Sequence, residues 1–122
     1  MDKQRIVIYE RDQLTRELLK EWLAEAGYDV RTGTPHDARR DRPAELVVVS
    51  VYLPKSAGLE CVRDIQAAHP GTPLIAISGH FRSGLAPAGA AATALNVQQV
   101  LAKPLVRSEV LRAVSAIMAN PA

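Results

Sequence analysis

Apolar positions along this chain fall into two alternating kinds of segment. Arg5–Tyr9 (RIVIY) is a short β-branched run and predicts a strand. Leu14, Leu18, Leu19, Trp22, Leu23 and Ala26 then recur at helical spacing, with Arg16, Glu17, Lys20 and Glu21 on the other face. Gly27 is placed to stop that helix. Tyr28–Arg31 predicts a brief second strand. Leu46–Val51 (LVVVSV) is apolar almost throughout, the mark of a parallel strand covered on both faces. Pro54 and Gly58 mark a turn, and Leu59, Val62, Ile65 and Ala68 predict a helix that Pro70-Gly71 ends. Leu74–Ser78 (LIAIS) is another buried strand. The Ala-rich stretch Leu85–Leu95 predicts a helix weakened at its start by Pro87 and Gly89. Val97–Ala102 predicts the last strand, and Val110, Leu111, Val114, Ile117 and Met118 an amphipathic closing helix.

Strands alternating with helices mean βα units and a mostly parallel sheet. The pattern holds five strands and four clear helices. A further helix is expected between the second and third strands, but Thr34–Arg42 (TPHDARRDR) is short and almost without apolar residues, so one or two turns are expected there. The chain shows no repeats or linkers, and residues 1–122 read as a single domain.

Composition narrows the class. Hydrophobic residues are 48% and charged residues 23%, an ordinary globular balance. Fifteen basic and thirteen acidic side chains leave +2, too weak a charge to imply nucleic acid without a clustered patch. One cysteine, Cys61, cannot form an internal disulfide. Cys61 and three scattered histidines give no zinc spacing. No apolar run approaches the roughly 18 residues of a membrane span. The N-terminus lacks the apolar segment of a signal peptide, so a cytoplasmic location is expected.

Ligands of open α/β sheets gather at the carboxyl ends of the strands. Those points carry Glu10-Arg11-Asp12, Ser50, Ser78-Gly79-His80 and Lys103-Pro104. With the segments IVIYERDQLTRELL, LVVVSVYLPKSAGLE, PLIAISGH and VLAKPL, this layout resembles the receiver domain of bacterial response regulators over essentially the whole chain. The resemblance implies a flavodoxin-like (CheY-like), doubly wound, five-stranded parallel sheet of order 2-1-3-4-5, here with a shortened second helix. It also implies a place in two-component or phosphorelay signal transduction. Receivers transfer a phosphoryl group from a histidine kinase to their own aspartate. Adjacent carboxylates hold Mg²⁺, a hard cation that prefers oxygen, and the metal and a lysine neutralise charge on the transferred group.

The resemblance breaks where that chemistry lies. The acidic pair aligns with Glu10 and Arg11, and the acceptor with Ser50, while Ser78 and Lys103 remain. A hydroxyl at Ser50 cannot form an acyl phosphate, and a guanidinium at Arg11 stands where a metal-binding carboxylate is wanted. Asp12 suits the N-cap of the first helix. Val100 stands where many receivers carry an aromatic switch residue. The expectation is a degenerate pseudo-receiver, not an enzyme, with its Mg²⁺ site lost, locked in one state and acting through protein–protein interaction. A Glu10–Lys103 contact is expected, because an ammonium in an apolar-walled cleft needs a carboxylate. Replacing Arg11 by a carboxylate would lower the net charge by two and Ser50 by one, from +2 to −1, so the mild basicity is largely the trace of that site.

Other readings stay open. An atypical receiver could use Asp12 or Glu10, or be phosphorylated on another residue such as Ser50. A pseudo-receiver could instead sense an anion or nucleotide messenger through Arg31, Arg39, Arg40 and Arg42, though Asp37 and Asp41 interrupt the last three. Expected partners are a histidine kinase, a phosphotransfer or regulator protein, or a second copy. They would meet the face built from the fourth helix, fifth strand and fifth helix, where Pro87–Leu95 carries no charge. Nucleic acid and membrane are not expected partners. An adaptor or competitor role fits the absence of an output domain in this chain. His36, His69 and His80 are expected to be exposed, Trp22 to be core, and Cys61 to be a packing residue near the start of its helix.

Overall fold

The β-branched runs do become strands, and the computed structural model describes residues 4–33, 44–51, 55–78 and 99–118. In chain order these form β1 (Arg5–Tyr9), α1 (Gln13–Glu25), β2 (Asp29–Thr32), β3 (Leu46–Ser50), α2 (Lys55–Ala68), β4 (Leu74–Ser78), β5 (Gln99–Ala102) and α3 (Arg107–Met118). The strands make one five-stranded sheet of order β2-β1-β3-β4-β5. Every neighbouring pair is parallel. The expected turns at 34–42 and the expected helix at 85–95 lie outside the described residues.

Side chains alternate across the strands, and each set meets a different helical layer. Ile6, Ile8, Leu46, Val48, Ile75 and Ile77 pack with Leu19 and Leu23 of α1 and with Val110 and Val114 of α3. Val7, Tyr9, Val47, Val49, Leu74 and Ala76 pack with Val62 and Ile65 of α2. This two-sided cover is why β3 and β4 read as unbroken apolar runs. All five residues of each are buried.

Several boundaries and burials differ from the pattern. The second strand starts at Asp29 because the Tyr28 N–H is taken by the Leu23 carbonyl at 3.2 Å. The Gly27 N–H bonds the Ala24 carbonyl at 3.0 Å. The two bonds close a Schellman turn, which needs the left-handed backbone that Gly27 adopts at φ 102°. Leu14 and Leu18 have helical spacing but fall outside the buried stripe; Leu14 is 71% exposed. Trp22 is partly buried and lies against the core rather than inside it. Cys61 is half-buried at mid-helix in α2, not near its start. Among the described residues, no helix is long and apolar enough to cross a membrane.

Candidate functional site

The register of the sheet assembles the site. β1 and β3 run from Ile6 opposite Leu46 to Tyr9 opposite Val49. One further step sets Glu10 beside Ser50. Ser50 pairs with Ile77 of β4, and Ser78 pairs with Ala102 of β5. Ser78 and Lys103 therefore follow at the same carboxyl edge, and the Lys103 N–H donates to the Ser78 carbonyl at 3.2 Å. Four residues far apart in sequence meet because parallel strands bring all their ends to one side.

Glu10 is the centre of the cluster, with its side chain fully buried. Its Oε1 accepts the Asp12 N–H at 2.9 Å. Its Oε2 accepts the Ser50 hydroxyl and faces Lys103 Nζ at 3.2 Å. The expected Glu10–Lys103 contact is present, and Ser50 spends its hydroxyl on the same carboxylate. A buried carboxylate is costly unless paired and hydrogen-bonded, and both conditions are met here. The Lys103 side chain is 24% exposed, so the ammonium closes the pocket from its open side.

The neighbouring residues divide into loop and frame. Asp12 caps α1. Its Oδ2 accepts the Thr15 N–H at 2.9 Å and the Thr15 hydroxyl at 2.6 Å. These two bonds, the hydroxyl's first, hold the Asp12 carboxyl below its usual range, helped by the charges of Lys103 and Arg16. Arg11 is exposed on the same loop, and its charge acts on Cys61 across in α2. Burial and Asp64 push the Cys61 thiol up, and Arg11 offsets part of that rise. Ser78 is buried, and Val100 is buried in the layer under α2. Arg31 is exposed on β2. Arg39, Arg40, Arg42 and His80 lie outside the described residues, as does His36.

Two features escaped the sequence reading. Arg16 reaches back from the first turn of α1, and its Nη1 donates to the Glu10 carbonyl at 3.1 Å. Its position four residues after the N-cap was the available signal. His69 is buried, contrary to the expected exposure. Its Nε2 lies 2.7 Å from the Tyr9 hydroxyl, with the rings tilted at 54°. A histidine is retained inside when a buried hydroxyl partners it.

The donor set bears on the Mg²⁺ that the resemblance implies. Such an ion wants several oxygen ligands in near-octahedral array. Glu10 offers a carboxylate whose two oxygens are already engaged, Asp12 is committed to its cap, and Ser50 is a neutral hydroxyl. Among the described residues, no buried side-chain polar atom lacks a hydrogen-bond partner. Among them too, no group of three or more acidic, histidine or cysteine side chains is arranged to hold a metal. Among the described residues, the side chains at this edge do not supply the oxygen set such an ion wants.

Comparison with known proteins agrees with the architecture. The family model for the response regulator receiver domain matches residues 6–115. No curated protein matches the chain. Among solved structures, the chain is similar to a response regulator from Thermotoga maritima, with TM-score 0.80 and 19% identity over 98% of this chain and 100% of that one. It is also similar to a CheY-like receiver domain protein from Methanospirillum hungatei, with TM-score 0.76 and 18% identity over 97% and 95% of the two chains. A receiver protein from Burkholderia phymatum gives TM-score 0.74 and 24% identity over 98% of each. At these identities the likeness establishes the fold.

Proposed function

The chain belongs to the response regulator receiver domain family, and from that premise we propose that it is a pseudo-receiver, a two-component signalling module that is not phosphorylated and acts by binding another protein. The observation that carries this reading is the Glu10–Ser50–Lys103 cluster. At the acceptor position stands a hydroxyl that donates to a buried carboxylate. A serine hydroxyl can form only a stable phosphate ester, not the labile acyl phosphate on which receiver switching depends. Lys103, the cation that would meet an incoming phosphoryl group, is held by Glu10. Val100, aliphatic and packed under α2, offers no aromatic ring to report a change in the pocket.

A module of this kind has one conformation to present. Its output is occupancy of a partner, a sensor kinase or another regulator, and not a timed chemical state. The test is direct. The full chain is incubated with Mg²⁺ and acetyl phosphate, and its intact mass is followed. The mass is expected to stay unchanged. A gain of one phosphoryl group that is lost again in mild base would place an acyl phosphate on a carboxylate and overturn the reading.

A further inference from the structure

We infer that the Lys103 ammonium is the resident cation of this pocket, so that the pocket is electrically complete without a divalent metal and is closed to Mg²⁺. The inference deepens the pseudo-receiver reading and rests on it for the family comparison. It starts from the mismatch between the donor set and a hard divalent ion. The fully buried Glu10 side chain supplies one negative charge, and Lys103 supplies one positive charge 3.2 Å away. The ammonium faces Oε2, and the Ser50 hydroxyl donates to the same oxygen. Oε1 is turned to the Asp12 N–H.

For a divalent ion to take the position of the ammonium at Oε2, Lys103 would have to be displaced from the carboxylate it neutralises. The displaced ammonium would then face a like charge at close range across a poorly solvated gap. Nothing nearby would repay that loss. Asp12 has its Oδ2 tied to Thr15 at the N-cap of α1, and Ser50 would add only a neutral oxygen. The loop is also held from its other side, because Arg16 fixes the Glu10 carbonyl. The pocket thus keeps three strand ends together by a covalently tethered cation that does not exchange with solvent.

The test uses the full chain in two measurements at constant ionic strength. In the first, the thermal midpoint is followed as MgCl₂ replaces NaCl. A native-state site would raise the midpoint by about 5 °C at roughly ten times its dissociation constant. The expected result is no saturable rise, with the same midpoint in a chelator. In the second, Mn²⁺ is added at low stoichiometry and amide signals are watched. The expected result is no selective broadening at Glu10, Asp12, Ser50 or Lys103. A saturable Mg²⁺ shift, or broadening centred on those amides, overturns the resident-cation inference. Failure of the two readings is distinguishable. Metal uptake without any phosphoryl gain removes only this inference, whereas phosphoryl gain on a carboxylate removes the functional reading.

Discussion

Removing the cation from the buried pair is the sharpest perturbation available. Lys103→Met keeps the length of the side chain and deletes its charge, leaving the Glu10 carboxylate with the Ser50 hydroxyl and the Asp12 N–H. At 3.2 Å and an effective permittivity of about 20, the lost attraction is roughly 5 kcal/mol. Part of it is offset, because the deleted ammonium no longer carries a desolvation cost and because Lys103 is a quarter exposed, so solvent already screens the pair. Breaking one partner of a buried pair is strongly destabilising, and with this discount we expect a loss of about 2–4 kcal/mol. Glu10→Gln should cost less, about 1–2 kcal/mol, since it leaves a lysine that can turn to water. The assay is denaturant unfolding followed by far-ultraviolet circular dichroism and by Trp22 fluorescence, on the parent, both single variants and the double variant. In the Glu10→Gln background, Lys103→Met should cost under about 1 kcal/mol, giving a coupling energy of at least about 1 kcal/mol. A cost for Lys103→Met below about 0.5 kcal/mol, or the same cost in both backgrounds, would refute the claim that these charges sustain each other.

Three further outcomes follow from the same geometry. Arg11→Asp combined with Ser50→Asp should create a carboxylate set around Glu10, so that Mg²⁺ raises the thermal midpoint and acetyl phosphate adds a phosphoryl group; a folded double variant inert to both would show that the residue register is wrong. Tyr9→Phe takes the hydroxyl from His69 Nε2 inside the sheet–α2 layer and should cost about 1–2 kcal/mol in urea unfolding, with an unchanged chemical-shift pattern around Glu10. The Asp12 carboxyl is held low in the folded chain, so its ionised cap stabilises α1 above the unfolded carboxylate range and loses that effect as pH falls through the lowered value. The midpoint of the parent should therefore exceed that of Asp12→Ala at neutral pH, and the gap should narrow below about pH 4; a gap independent of pH would contradict the Thr15 bonding.

Much of the architecture was legible because each strand and helix announces itself locally. β3 and β4 are unbroken apolar runs since both faces are covered, and α1 opens at Asp12 and ends at Gly27 through short-range hydrogen bonds. The cluster was legible only in part. Ser50 and Lys103 could be picked out because strand ends are where a parallel sheet collects its chemistry, and the Glu10–Lys103 contact followed from the need of a cation for a carboxylate. Arg16 was missed because an arginine in a first helical turn has the same sequence appearance whether it faces water or a loop carbonyl.

The pattern of apolar residues by itself determined the order of strands and helices, the parallel sheet and the edge at which the site would form. Tertiary structure decided which polar groups are inside. His69 stands before Pro70-Gly71 and looks like a surface residue, yet a hydroxyl sixty positions earlier receives it. Leu14 has the spacing of a core residue and lies in solvent. The fates differ for one physical reason. Periodicity marks the side chains on one face, but burial needs something to cover them, an apolar layer for a leucine and a group at hydrogen-bond distance for a histidine, and either arrives only when the strands and helices have packed.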